Sequence, residues 1–91
     1  MPRPCIRRKV RGKPCANYFK PAGARLKNLD EIVLTLAEFE AIRLVDLDEI
    51  EQGEAGKMMG ISQPTFSRLL KSARKKISES IIKGKAIRIE S

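Results

Sequence analysis

Apolar residues recur at three spacings along this chain, and each spacing predicts a different element. Leu36, Phe39, Ile42 and Val45 fall at threes, with Leu44 and Leu47 widening the stripe, which predicts a helix from Thr35 to about Asp48. Thr35-Leu-Ala-Glu38 opens it as a capping box, in which the Thr oxygen and the Glu carboxylate satisfy each other's free backbone donors. Further on, Ala55 and Met59 form the buried stripe of a short helix. Gly60 stands where a helix ending needs a residue tolerant of positive φ. Ser62 supplies an N-cap oxygen, and Pro64 falls in the first turn, where a missing N–H costs little. Phe66, Leu70, Ala73, Ile77 and Ile81 then keep a helical period as far as Gly84, a good C′ residue. Alternation in Ala86-Ile-Arg-Ile89 predicts a short strand, and β-branched Ile32 and Val33 another within Leu29–Leu34. The 86–89 strand has two candidate partners, residues 31–34 or the N-terminal region.

The unit from Gln52 to Lys71 is the one around which the rest is organised. Counted from Gln52, apolar side chains stand at the fourth, eighth, tenth, fifteenth and eighteenth positions (Ala55, Met59, Ile61, Phe66, Leu69), with Gly56 at the fifth and Gly60 at the ninth. The fifth position must be small because the second helix crosses close over it. Gln63, Ser67, Arg68 and Lys71 remain outward, and all are hydrogen-bonding or basic. This is the layout of a helix-turn-helix that reads DNA. A purely structural helical hairpin is the competing reading. The expected fold is mainly α: a trihelical helix-turn-helix with a long C-terminal recognition helix, short β pieces and an extended basic N-terminal arm. Residues 1–27 form the arm and residues 28–91 the helix-turn-helix domain.

Charge is sorted along the chain. The net +8 divides into +9 over residues 1–27, −8 over 28–56 and +7 over 57–91. Two basic blocks flanking an acidic middle suit a polyanion-facing surface better than solubility alone. Glu38, Glu40, Asp46, Asp48 and Glu49 are therefore expected on an outer face of the first helix, turned away from phosphate. The arm holds Pro2, Pro4, Pro14 and Pro21 among Arg7, Arg8, Lys9, Arg11 and Lys13, a composition that cannot bury enough apolar surface to fold alone. Short extended pieces near Ile6–Val10 and Ala16–Phe19 are expected to dock on the body, with Tyr18 and Phe19 anchoring by packing. The alternative for Tyr18 is contact with a sugar or base. The basic arm would follow the backbone or enter a minor groove. Ile77, Ile81 and Ile82 lie beyond the reach of a three-helix core, and either receive the arm or make a homodimer contact.

Several classes are excluded or disfavoured. No apolar run approaches a membrane span, and the basic start lacks the apolar core of a secretory signal, so a cytoplasmic protein is expected. Cys5 and Cys15 are the only cysteines and histidine is absent. Two thiols at that separation are not a zinc finger or ribbon. They are read as free thiols, with a reversible disulfide or a four-Cys site shared by two copies as alternatives, and no cofactor is expected. With no histidine, no phosphate-cradling loop and no acid pair set in a cleft, the chain does not read as an enzyme, and no small-molecule substrate is evident. Scarce aromatics argue against RNA.

Gly60-Ile-Ser62 with Thr65-Phe66, Arg68-Leu69 and Ala73-Arg-Lys-Lys-Ile77 resembles the region-4 helix-turn-helix of sigma factors, within the winged-helix-like DNA-binding superfamily. Over its full length the chain is similar to a family of small uncharacterised bacterial and archaeal proteins predicted to bind DNA. The matching stretches are Met1-Pro-Arg-Pro, Tyr18-Phe-Lys-Pro-Ala-Gly23, Leu34-Thr35 with Glu38 and Glu40-Ala41, and Gly84-Lys-Ala with Arg88-Ile-Glu90. The resemblance implies base contacts from Gln63, Ser67 and Arg68, and phosphate contacts from Lys71, Arg74 and Lys75. Ser62, Thr65 and the arm residues Arg7, Arg8, Lys9 and Arg11 would add further phosphate contacts. Gly53 and Gly56 stand where relatives tend to have Glu and Ala, each costing about 1 kcal/mol of helix propensity. Pro64 replaces a polar contact. Some relatives carry an appended domain resembling nitrogenase-cofactor biosynthesis proteins, which implies a further metal or redox link for Cys5 and Cys15. The expected function is sequence-selective binding of double-stranded DNA by a transcriptional regulator. The alternative is a protein-interaction module, binding RNA polymerase for example, with the basic arm as an electrostatic tether.

Overall fold

A strand with two free edges can take two partners, and the 86–89 strand takes both of its candidates. The computed structural model describes residues 16–23 and 29–90, with β1 at Tyr18–Phe19, β2 at Glu31–Leu34 and β3 at Ala86–Ile89. β3 lies in the middle, antiparallel to β1 and parallel to β2. Its register sets Arg88 opposite Tyr18 on one side and Val33 on the other. A parallel pair needs a long crossover, and the helices supply it: α1 at Leu36–Ile42, α2 at Gln52–Met59 and α3 at Gln63–Lys83. β1 falls within the stretch assigned to the arm, so part of that stretch is built into the body. The 6–10 piece, Cys5 and Cys15 lie outside the described residues.

The capping box forms as expected. Thr35 Oγ1 accepts from the Glu38 N–H at 3.1 Å, and Glu38 Oε1 accepts from the Thr35 N–H at 2.9 Å. The Glu90 carboxylate accepts from the Leu36 N–H, so the residue just past β3 also caps α1.

The end of α1 differs from expectation. It runs into a π-helical segment, Arg43–Leu47, closed by a bond from the Asp48 N–H to the Arg43 carbonyl. With no glycine here, Glu49 takes the left-handed turn at φ +59°. The buried stripe is Ala41 and Leu44, while Leu36 is exposed and Leu47 is 73% exposed. Phe39, Ile42 and Val45 of the predicted row remain half-buried against the core, so the row departs only at its ends. Residues taken at threes precess by about 60° per step around a helix of about 3.6 residues per turn, which carries Leu36 off the core face, and the π turn shifts the register before Leu47.

The turn between α2 and α3 matches the sequence closely. Gly60 is left-handed at φ +72°, the Ile61 N–H bonds the Gly56 carbonyl and the Gly60 N–H bonds that of Lys57. This is a Schellman motif with an apolar residue behind it. Gly56 is buried, and a Cβ there would stand 3.4 Å from Phe66 Cβ and from the Ile61 carbonyl oxygen. An alanine methyl there would sit at the near limit of ordinary contact. At the far end of α3, Gly84 repeats the left-handed ending, and Ser80 accepts from the Lys85 N–H while its hydroxyl donates to the Lys85 carbonyl.

Two apolar clusters result. Ala41, Leu44, Ala55, Phe66 and Leu70 form one among the helices, and Leu34, Ala73 and Ile89 form the other between α3 and the sheet. Ile42 packs against both and joins them. Among the described residues no helix is long and apolar enough to cross a membrane. Because Glu49 carries the strain of a left-handed L-residue, Glu49→Gly is expected to raise the unfolding free energy by about 1 kcal/mol. Urea titration measures it, and an unchanged or lowered midpoint would refute the strain.

Candidate nucleic-acid interface

α3 is long enough to divide its duties between its two sides. Phe66, Leu70, Ala73 and Ser80 are buried, with Leu69 and Ile77 half-buried beside them. On the opposite side, Arg68, Lys71 and Lys75 follow one another at helical spacing and span about 10 Å along the axis. All three are exposed, as are Gln63 and Ser67 at the flank of the same half. No acid pairs with Arg68, Lys71 or Lys75 among the described residues.

The remaining residues singled out on this helix have internal partners. The Ser62 hydroxyl donates to Thr65 Oγ1 at 2.9 Å and accepts from the Thr65 N–H at 3.4 Å, so both side chains are engaged in the cap, though exposed. Arg74 grips Asp46 through two bonds, Nε to Oδ2 at 3.1 Å and Nη2 to Oδ1 at 2.6 Å. The Arg74 guanidinium holds the Asp46 carboxyl below the usual carboxylate range, against a smaller upward push from burial. Toward the C-terminus Lys75, Ser78, Glu79, Ile82 and Lys83 line an open groove of about 240 Å³. Ile81 and Ile82 are 72% and 80% exposed. Arg7, Arg8, Lys9 and Arg11 lie outside the described residues.

Glu38 corrects the expected outer acidic face. It is buried at 4% exposure and joins three elements. Its Oε1 accepts from Lys76 Nζ at 2.7 Å and its Oε2 from the Ser72 hydroxyl at 2.6 Å, while Lys76 also donates to the Val33 carbonyl of β2. Burial pushes the carboxyl up, but the bonds from Lys76, Ser72 and the Thr35 N–H outweigh it and hold Glu38 below its ordinary range. The reason for the inward turn lies in spacing. Glu38 stands three residues before Ala41 on the core side of α1, and Ser72 and Lys76 stand four apart on one side of α3.

Other acids of the middle block are also matched. Arg43 pairs with Glu40 at 2.6 Å and Asp48 at 3.0 Å, and Arg88 with Glu31 at 2.9 Å. Tyr18 donates its hydroxyl to the same Glu31 at 2.8 Å. That bond raises the Tyr18 hydroxyl above its ordinary value and lowers the Glu31 carboxyl. Tyr18 thus anchors β1 by a hydrogen bond, and Phe19 is 53% exposed where packing was expected. Of the basic run Arg74-Lys75-Lys76, the outer two have salt-bridge partners, while Lys75 makes no salt bridge among the described residues and feels only the nearby charge of Glu79. Among those residues, too, no three His, Cys, Asp or Glu side chains gather as metal donors.

The chain belongs to the family described as "Protein of unknown function DUF134", which matches residues 1–91. It is 52% identical over 90 residues to a UPF0251 protein of Caldanaerobacter subterraneus subsp. tengcongensis, covering 99% of this chain and 76% of the relative. A UPF0251 protein of Moorella thermoacetica is 50% identical over 99% of this chain but only 60% of its own length. One from Aeromonas salmonicida is 42% identical, with 99% and 88% covered. No solved structure matches the chain.

Removing the Glu38 carboxylate takes an acceptor from Lys76, which keeps the Val33 carbonyl, and from the Ser72 hydroxyl and the Thr35 N–H. Glu38→Ala is therefore expected to cost about 2–4 kcal/mol of unfolding free energy. The lowered carboxyl also fixes the sign of a pH effect. Its contribution is fully present above the ordinary glutamate value of 4.5 and is lost as pH falls through the lower folded value. Urea titrations between neutral and acid pH should show a loss in the wild type that is smaller in Glu38→Gln, the remainder coming from Asp46 and Glu31, which are lowered in the same direction. Parallel acid limbs would remove Glu38 as its source.

Proposed function

We propose that this protein binds double-stranded DNA sequence-selectively and acts as a transcriptional regulator. In this reading α2, the Gly60 turn and α3 act as a helix-turn-helix of the sigma region-4 kind, with the first half of α3 in the major groove. The observation that carries the reading is the row Arg68, Lys71 and Lys75. These exposed cations have no acid partner among the described residues and run beside Gln63 and Ser67 on a helix with a rigid entry turn. Unpaired cations at this spacing match successive phosphates and base edges along a groove. Gln63 would take adenine and Arg68 guanine. Lys71 and Lys75 would hold phosphates, and Ser62 and Thr65 would chiefly fix the first turn of the helix against the backbone.

Enrichment of random duplexes on the purified protein at near-physiological salt tests this directly. A shared sequence motif is expected among the winners. Two inverted copies about ten base pairs apart, or a multiple of that, would mark a dimer. Arg68→Ala should relax preference at one position and cost about 1–3 kcal/mol on the preferred site. Lys75→Ala should weaken all sequences alike and flatten the salt dependence by about one unit of slope. Identical effects of the two changes on every duplex would exclude direct readout. Failure to enrich any duplex, with salt-insensitive capture of RNA polymerase or another protein, would favour the interaction-module reading.

A further inference from the structure

Arg74 is the one cation on the solvent side of α3 that is tied to the acidic middle of the chain. Its partner, Asp46, sits on the π-helical segment that follows α1, far away in sequence. The grip is two-pronged, and the guanidinium and carboxylate are 49% and 39% exposed, so the pair lies at the surface. In helical projection Arg74 falls on the same flank of α3 as Ser67 and Lys71. A phosphate meeting that flank would seek the two donors that Asp46 already occupies, because carboxylate and phosphate both accept the guanidinium fork.

We infer that Asp46 is a positioning residue that acts through Arg74: its carboxylate stands in for a DNA phosphate and withholds Arg74 from duplexes that do not dock closely. The inference rests on the DNA-binding reading and adds a restraint on its strength. Neutral as a pair, Asp46 and Arg74 contribute little to the long-range field of the helix. A loosely held duplex, bound through that field alone, gains nothing from Arg74. A closely seated duplex brings a phosphate to the guanidinium and displaces the carboxylate, whose ion pair is weak because both groups are half in water. The geometry thus makes Asp46 a determinant of the gap between tight and loose binding, without contact to any base.

The test compares the salt dependence of binding to a random-sequence duplex for the wild type, Asp46→Asn, Arg74→Ala and the double variant. Asp46→Asn should steepen the slope of log affinity against log salt by about 0.9, the equivalent of one phosphate, and tighten random-duplex binding roughly three- to tenfold. The gain should vanish when Arg74→Ala is added, and Asp46→Glu should restore wild-type behaviour. Thermal melting run alongside registers any purely structural role, which would move stability and leave the slope alone. An unchanged or shallower slope in Asp46→Asn, with wild-type binding intact, overturns the restraint while leaving DNA binding in place. A wild type that binds no duplex overturns both.

Discussion

A carboxylate taken out of water must be met by donors from several directions, and Glu38 obtains them from the start of α1 and from α3 and is linked through Lys76 to β2. The Thr35 N–H ties it to the start of α1, Ser72 and Lys76 tie it to α3, and Lys76 passes the connection to the Val33 carbonyl of β2. Burial alone would neutralise such a group, so every donor must be in place together. That requirement fixes the crossing of α1 over α3, and with it the side of α3 that is left to solvent. Apolar contact in the two clusters supplies bulk burial, but apolar packing is not directional. The charged contact selects among the rotations that packing alone would tolerate.

The outward row of α3 is a consequence of that choice. Arg68, Lys71 and Lys75 lie opposite Phe66, Leu70 and Ala73 because the helix is long, straight in pattern and held on one side only. The acidic middle block does not blanket this row. Most of its paired carboxylates are spent within the body, on Arg43, Lys76 and Arg88, and one reaches the edge of the row through Arg74. Among the described residues, segregation of charge along the sequence therefore becomes a set of ion pairs on Arg43, Lys76, Arg88 and Arg74 on one side and cations without a salt bridge on the other.

Local features were the most legible in the sequence. The Thr35 capping box, the Gly60 turn, the Ser62 cap and the Gly84 ending each depend on residues within one or two turns, and each appears where its residues predict it. The 86–89 strand was legible as a strand, but its partners were not, since alternation says which faces are apolar and nothing about which edge pairs. Burial of Glu38 and the Asp46–Arg74 contact were missed for a similar reason. A charged residue reads as solvated unless its distant partner is known, and Ser72 and Lys76 become partners only once α1 crosses α3. The π-helical segment carries no residue pattern that would announce it.

The central position of β3 has an effect on the order of events during synthesis. β1 and β2 precede the helices, yet neither pairs its backbone with the other, and both wait for residues 86–89 before their inner edges are satisfied. On the ribosome the helical unit can condense early from near neighbours, whereas the sheet must close late across nearly the whole chain. Until then two short strand edges are open to foreign pairing, and their brevity limits that hazard.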